Sequence, residues 1–125
     1  MEWIIDYHQE YNTVLVKVLS PADFEGIKQL CIEMDLLARE HNTHRYLIDH
    51  RGVDVKISVF DLDKVPEMLR EIEADFEGKV AILMDTSAPK KNLFNFLKNI
   101  LILESMDLEL FSDKDKAIAW LTSEQ

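Results

Sequence analysis

The sequence contains little cysteine, glycine or proline: one, three and three residues, respectively, among 125. A single cysteine cannot form an internal disulfide, so we expect a reducing compartment. So few glycines and prolines, together with 47% hydrophobic residues, argue against a disordered or low-complexity chain. The length suits one domain over residues 1–125 with a sizeable core.

Basic residues are also scarce. The chain has 14 lysines and arginines against 24 acidic residues, which gives a net charge of -10. Such a surface repels phosphate backbones and anionic membranes, so we expect no nucleic-acid partner. It suits water or a basic protein partner instead.

Long hydrophobic runs are missing too. The longest apolar runs fall well below the roughly 18 residues that predict a membrane span, so we expect the chain not to span a membrane. The first residues carry Glu2 and no basic segment, unlike a secretory signal. A cytoplasmic location is the resulting expectation.

Recognisable catalytic and metal-binding motifs are absent from the sequence. It has no P-loop, no G-x-G-x-x-G and no G-x-S-x-G, and Cys31 lies on the apolar side of a predicted helix without a nucleophile motif. His41 and His44 have one ligand-like spacing, but no cysteine or HExxH motif supports a zinc site with them or with His50. We therefore expect a non-catalytic protein without a cofactor or metal.

The hydrophobic pattern predicts alternating strands and helices. Two alternating segments, at residues 2–8 and 11–19, indicate an antiparallel hairpin. Ser20 and Pro21 then predict the start of a helix that ends near residue 42. The remaining predicted elements are a strand at 45–50, a turn capped by Ser58, a helix at 66–76, a strand at 79–84, a helix at 93–105, a strand at 107–111 and a helix opened by Ser112 and Asp113.

This order, ββαβαβαβα, predicts an α/β fold. Alternating strands and helices favour a mostly parallel five-stranded sheet, with the N-terminal strand as an antiparallel edge. The simplest arrangement pairs the strands in sequence order.

The strand at 45–50 is the predicted centre of the molecule, and polar residues follow it at once. Ligands of open α/β sheets bind beyond the carboxyl ends of strands, which makes Asp49, His50 and Arg51 candidates for a ligand or partner edge. Asp85 follows the next strand and joins this set. Asp49 and Asp85 could together bind a cation or perform acid–base chemistry, or each could cap its own loop. An enzyme would need Asp49, His50 and Asp85 to converge.

The segment at 93–103 is apolar nearly all round, which is more than one packed helix face needs. Three explanations remain open: deep burial in the core, self-association into a homodimer, or the wall of an acyl-chain pocket. The candidate residues for the interface or pocket are Phe94, Leu97, Leu101 and Ile102.

Several short motifs carry a family resemblance that extends over about residues 3–121. They are Leu47-Ile48-Asp49 with Gly52-Val53, Asp61-Leu62 with Pro66, Lys79-Val80-Ala81-Ile82, and Phe111-Ser112-Asp113 with Ala117, Trp120 and Leu121. With these landmarks the chain resembles the SpoIIAA-like family, whose fold is shared by the STAS domains of anti-sigma factor antagonists and is related to lipid-binding CRAL-TRIO domains. The resemblance implies a non-catalytic regulatory or protein-interaction module, or alternatively a module that binds a lipid or other small apolar ligand.

The resemblance also implies one modification site. In STAS antagonists the segment after the third strand reaches a serine that a partner kinase phosphorylates, and matching Asp49 and Gly52 to that pattern brings Ser58 onto it. Ile57 stands where those proteins carry an acidic residue. Ser58 is therefore a candidate phosphoacceptor and, on its residue type alone, an ordinary helix cap.

Overall fold

The computed structural model describes residues 1–74, 77–85 and 91–123 of the chain. Its strands are β1 (Trp3–His8), β2 (Thr13–Val18), β3 (Arg45–Asp49), β4 (Gly78–Leu83) and β5 (Met106–Phe111). Its helices are α1 (Phe24–His41), α2 (Val59–Leu62), α3 (Val65–Glu71), α4 (Lys91–Leu101) and α5 (Lys114–Leu121), with a 3-10 turn at Ile102–Glu104.

The five strands form one sheet in the order β1-β2-β3-β4-β5. β1 pairs with β2 antiparallel, and every other neighbouring pair is parallel. The predicted fold class, the antiparallel N-terminal edge and the pairing in sequence order are confirmed. β3 is the central strand, so the residues that follow it leave the sheet at the middle of its carboxyl edge.

Helices cover both faces of the sheet, which explains why β4 is apolar on both sides. Val80 and Ile82 pack into a large core with α1 to α4, whereas Ala81 and Leu83 pack on the other face against α5. Strands that are buried on both faces are typical of parallel sheets. The larger core therefore lies between the sheet and the layer of four helices.

Helix α1 begins later than its sequence predicted. Ser20 is not the cap: its hydroxyl accepts from the backbone of Glu2, and Asp23 caps the helix by accepting from the N–H of Gly26 at 2.7 Å. The prediction was wrong because Ala22 is taken by a short parallel bridge to Val55, which holds the backbone extended. Through that bridge the loop after β3 is tied to the start of α1.

Two other helices are shorter than predicted. The helix predicted at 66–76 spans Val65–Glu71, and the left-handed backbone of Glu73, with φ 55°, follows its end; Phe76 lies outside the described residues. The helix predicted at 93–105 ends at Leu101 and passes through the 3-10 turn to Ser105, whose φ of 63° stops it. In both places a residue with positive φ follows the end of the helical segment.

Candidate functional site

The sheet separates the two side chains that follow Ile48. Successive residues of a strand point to opposite faces. Asp49 accordingly lies with Leu47 on the side of α5, whereas His50 lines the core beneath the four helices. The Asp49 carboxylate and the His50 imidazole therefore lie on opposite faces of the sheet.

Asp49 is held as an anion by two cations. The Arg51 guanidinium donates to its two oxygens at 3.0 and 2.9 Å, Lys17 donates at 3.2 Å, and the backbone N–H of Arg51 donates at 3.0 Å. Partial burial would raise the pKa of this carboxyl, but the hydrogen bonds from Arg51 and Lys17 outweigh burial and lower the pKa to about 2. The carboxylate stays charged at neutral pH and caps its own turn, which suits a structural clamp better than a proton carrier.

The remaining polar candidates lie at or near the ends of β4, α1 and β3. Asp85 is exposed two residues beyond β4, in the part of the loop that the structure describes. His41 stacks on Tyr7 at the end of α1, and His44 is exposed before β3, at the opposite end of that strand from His50. Among residues 1–74, 77–85 and 91–123, no three potential metal ligands are grouped together.

His50 is the buried polar residue of the site. It is only 9% exposed, and its ring lies at a tilt against Phe94 with the ring centroids 5.5 Å apart. Its Nδ1 atom has no hydrogen-bond partner among the described residues. Burial lowers the pKa of His50 to about 4, despite the opposing charge of Asp49. The imidazole is therefore neutral at physiological pH, with one nitrogen unused.

A cavity of about 90 Å³ adjoins the imidazole, between the sheet and the four-helix layer. Aliphatic, methionine and phenylalanine side chains form most of its described lining. Cys31 also lines it, and burial, helped by Asp35, raises the pKa of its thiol to about 12. The thiol is consequently protonated and no nucleophile at neutral pH.

The four residues that were predicted to form an interface or a pocket have different surroundings in the structure. Phe94, Leu97 and Leu101 line the cavity, with Phe94 and Leu101 buried. Ile102, just beyond the helix, is 65% exposed. The apolar residues of this segment thus form part of the cavity wall and, at the end of the segment, an exposed apolar surface. The cavity, as the described residues form it, has a volume of about 90 Å³, which is smaller than the roughly 300 Å³ at which ordinary ligand pockets begin.

Ser58 caps helix α2 together with Asp61. The Ser58 hydroxyl lies 3.3 Å from the Asp61 amide, which donates to it, and the Asp61 carboxylate accepts from the Ser58 amide at 3.1 Å. This is the reciprocal arrangement of a capping box. Ser58 is exposed, but its hydroxyl lies 3.4 Å from the Asp61 carboxylate, and α2 has only four residues.

Phe60 was missed by the sequence reasoning. It lies on α2 two residues after Ser58, and it is 79% exposed, more than any other large hydrophobic residue described. Leu62, two residues further on, is 1% exposed and anchors the same turn in the core. Residues two apart on a helix point to different sides, so anchoring Leu62 turns Phe60 outward. The sequence signal that could have indicated its exposure is a phenylalanine within a short, acidic helical turn that Ser58 caps.

Comparison with known proteins supports the fold. No family model matches the chain, and no curated protein matches it. A solved structure that does match is that of an uncharacterized protein from the DUF3478 family with a SpoIIAA-like fold, from Shewanella loihica PV-4. The match has a TM-score of 0.54 at 18% identity and covers 96% of this chain and 92% of that chain.

At this level of identity the likeness establishes the fold alone. The chain has a SpoIIAA-like α/β fold, which confirms the fold that the sequence motifs implied. Within the described ranges, no helix is long and apolar enough to cross a membrane.

Proposed function

We propose that the chain is a non-catalytic module that binds a protein partner through the surface formed by Ser58, Phe60 and Asp61, which we call the α2 surface. The observation that carries this proposal is the 79% exposure of Phe60 on a turn that is otherwise fixed by a cap and a buried leucine. Burying one phenylalanine is worth about 1.5–3 kcal/mol, and aromatic residues are enriched at the centres of interfaces.

The neighbourhood of Phe60 indicates what kind of partner fits. Helix α2 contacts α4, on which Phe96 is 38% exposed, so a second aromatic residue lies on the adjacent helix. Asp61 and Asp63 follow Phe60 in the sequence, Lys64 lies 4.0 Å from the Asp61 carboxylate, and the whole chain carries a charge of -10. A protein with an apolar cleft and a basic rim would complement this surface, because opposite potentials steer association.

Removing the Phe60 ring tests the proposal. We expect immobilised wild-type protein to retain a specific protein from cell extract, and Phe60→Ser to lose it. Ile4→Ser is the matched control, because Ile4 is 59% exposed on the other face of the sheet. With the partner purified, its dissociation constant should rise at least about tenfold for Phe60→Ser, as for an interface hot spot, and stay unchanged for Ile4→Ser. Equal binding by all three proteins would refute the role of Phe60.

Ser58 would regulate this surface if it is the phosphoacceptor. A phosphate on its hydroxyl adds nearly two negative charges beside the Asp61 carboxylate, which is already 3.4 Å away. Repulsion would break the capping box, and a helix of only four residues would not hold its shape without it. Phosphorylation is thus proposed as a switch that disorders α2 and releases the partner.

Labelling with a kinase-containing extract tests this switch. We expect incorporation of phosphate that Ser58→Ala abolishes and Ser112→Ala, which removes an exposed serine before α5, leaves intact. The phosphorylated protein should exchange the amide protons of α2 faster. Undiminished labelling of Ser58→Ala would remove Ser58 from the account.

A homodimer built on the segment at 93–103 also stays a proposal. Phe96 and Ile102 are the exposed large apolar residues among the side chains of that segment that the structure describes. Self-association of a chain with a charge of -10 would work against mutual repulsion, so we rank a basic partner above a second copy.

Binding of a small apolar ligand is the second candidate function, and the cavity beside His50 favours it. Its lining is almost wholly apolar, and its volume is about 90 Å³. An apolar cavity of about 150 Å³ suffices to bind benzene in a protein interior. This function therefore concerns small molecules and not long-chain lipids. Titration with pentane tests it, as described below.

A further inference from the structure

One residue in the lining of the cavity beneath the four-helix layer has an unused hydrogen-bonding group. Among its described lining residues, His50 and Cys31 alone bring a polar side-chain atom, and a thiol is a weak donor. The His50 imidazole is 9% exposed, and its Nδ1 has no partner among the described residues. An unpaired buried polar atom destabilises a protein by about 1–3 kcal/mol. Such an atom beside an apolar space needs an explanation.

Water does not satisfy this atom well. A buried water makes about three hydrogen bonds and is retained where two to four polar groups surround it. Here one ring nitrogen and a weakly donating thiol are offered by the lining that the structure describes. A cavity with that composition resembles the engineered apolar cavities that stay dry and bind apolar molecules.

We propose that the cavity binds a small apolar alcohol whose hydroxyl group hydrogen bonds to Nδ1 of His50 while its hydrocarbon part fills the apolar space. This inference rests on the small-ligand function proposed above and names its anchor and ligand class. A hydroxyl group both donates and accepts, so it pairs with Nδ1 in either neutral tautomer of the imidazole. The lone nitrogen supplies the single polar contact that an otherwise apolar ligand needs for orientation.

The size of the cavity limits the alcohol. A volume of about 90 Å³ is below the roughly 150 Å³ that holds benzene, which leaves room for roughly four or five non-hydrogen atoms. Met1, Met34 and Met106 lie in the wall, and methionine side chains adapt readily to a changed shape. The ring of Phe94 would close over the ligand from α4.

Titration of the protein with two probes of the same size tests the inference. The probes are 1-butanol and pentane, followed through the methyl signals of Met34 and Met106 in an isotope-labelled sample. We expect saturable shifts with both probes in the wild type. In His50→Leu the dissociation constant for 1-butanol should rise at least about fivefold, as expected for one lost hydrogen bond, while that for pentane stays the same or falls. His44→Leu, which removes an exposed histidine, should bind both probes as the wild type does.

The pentane titration tests the proposed ligand binding, and the 1-butanol titration tests the role of His50. Saturable pentane binding together with equal 1-butanol affinity in the wild type and His50→Leu would overturn the role of His50 and leave ligand binding standing. No saturable shift with either probe in the wild type would overturn both. A water molecule located against Nδ1 that 1-butanol does not displace would overturn the role of His50 alone. Leu30→Phe fills the same cavity and should abolish binding of both probes. If His50→Leu does not fold, the ring-nitrogen signals of wild-type His50 decide the matter: the Nδ1 signal should shift on saturation with 1-butanol and not with pentane, and equal shifts or none would overturn the role of His50.

Discussion

Asp49 and His50 are neighbours in the sequence but have opposite surroundings in the structure. Asp49 is neutralised by Arg51 and Lys17 at the open edge of the sheet, and the next residue, His50, is buried and neutral. The sequence placed both at the carboxyl end of the central strand, and in the structure Asp49 is the last residue of β3 and His50 follows it. It did not predict that the pleat directs them to opposite faces, because that depends on which residue of the strand faces which layer.

The buried histidine predicts a pH dependence of stability. Its pKa is about 4 in the folded protein, against 6.5 for the exposed side chain. The unfolded chain therefore binds this proton more readily, and the free energy of unfolding is greatest above pH 6.5 and falls as the pH is lowered through 4. A shift of this size corresponds to a loss of up to about 3 kcal/mol.

Urea unfolding of the wild type and His50→Leu between pH 7 and 4.5 measures this dependence. The wild type should lose stability over this range, and His50→Leu should lose markedly less. His44→Leu, which removes an exposed histidine, should behave as the wild type does. Asp49 does not affect this comparison, because its lowered pKa changes the free energy of unfolding only between about pH 2 and pH 3.8, below the measured range. Identical slopes for the wild type and His50→Leu would show that His50 is not buried as described.

At the scale of elements, the strands were more predictable than the helix ends. Alternation in β1 and β2 and the apolar runs of β3 and β4 fixed the strands to within a residue or two, since burial on one or both faces leaves a direct pattern. The start of α1 was wrong because the bridge from Ala22 to Val55 is a contact between distant segments, which no local pattern encodes. The cavity wall and the exposure of Phe60 depend on such packing too.

The start of β4 contains a glycine that the fold requires. Gly78 has φ 131°, and a Cβ atom there would lie 2.3 Å from the backbone oxygen of His44. Gly52, in the turn after β3, has φ 75° but open space around the same position. We therefore expect Gly78→Ala to lower the free energy of unfolding by about 3 kcal/mol or more, because strain and a backbone clash combine. Gly52→Ala should lower it by only about 1 kcal/mol.

Denaturant unfolding of the two variants side by side checks this prediction. Both replace a glycine of positive φ by alanine, so the difference between them isolates the clash with His44. Equal losses, or a larger loss for Gly52→Ala, would mean that β4 does not begin against the backbone of His44, just before β3, as described.

At the scale of the whole molecule, the fold is shown by comparison with a solved structure, whereas the function is a proposal. The resemblance to the SpoIIAA-like family predicted the architecture, and the sheet order and the matching solved structure confirm it. The same resemblance pointed to Ser58, which lies two residues before the exposed phenylalanine. Fold alone does not determine function, so the proposed partner surface depends on the local features of α2.

The most direct measurement is photo-cross-linking in intact cells with a photoreactive phenylalanine analogue at position 60, compared with the same analogue at position 4. The account predicts a strong cross-link from position 60 to a different protein with a basic contact surface, and none to that protein from position 4. A cross-link from position 60 to a second copy of this chain, equal cross-links from both positions, or none from position 60 would contradict it.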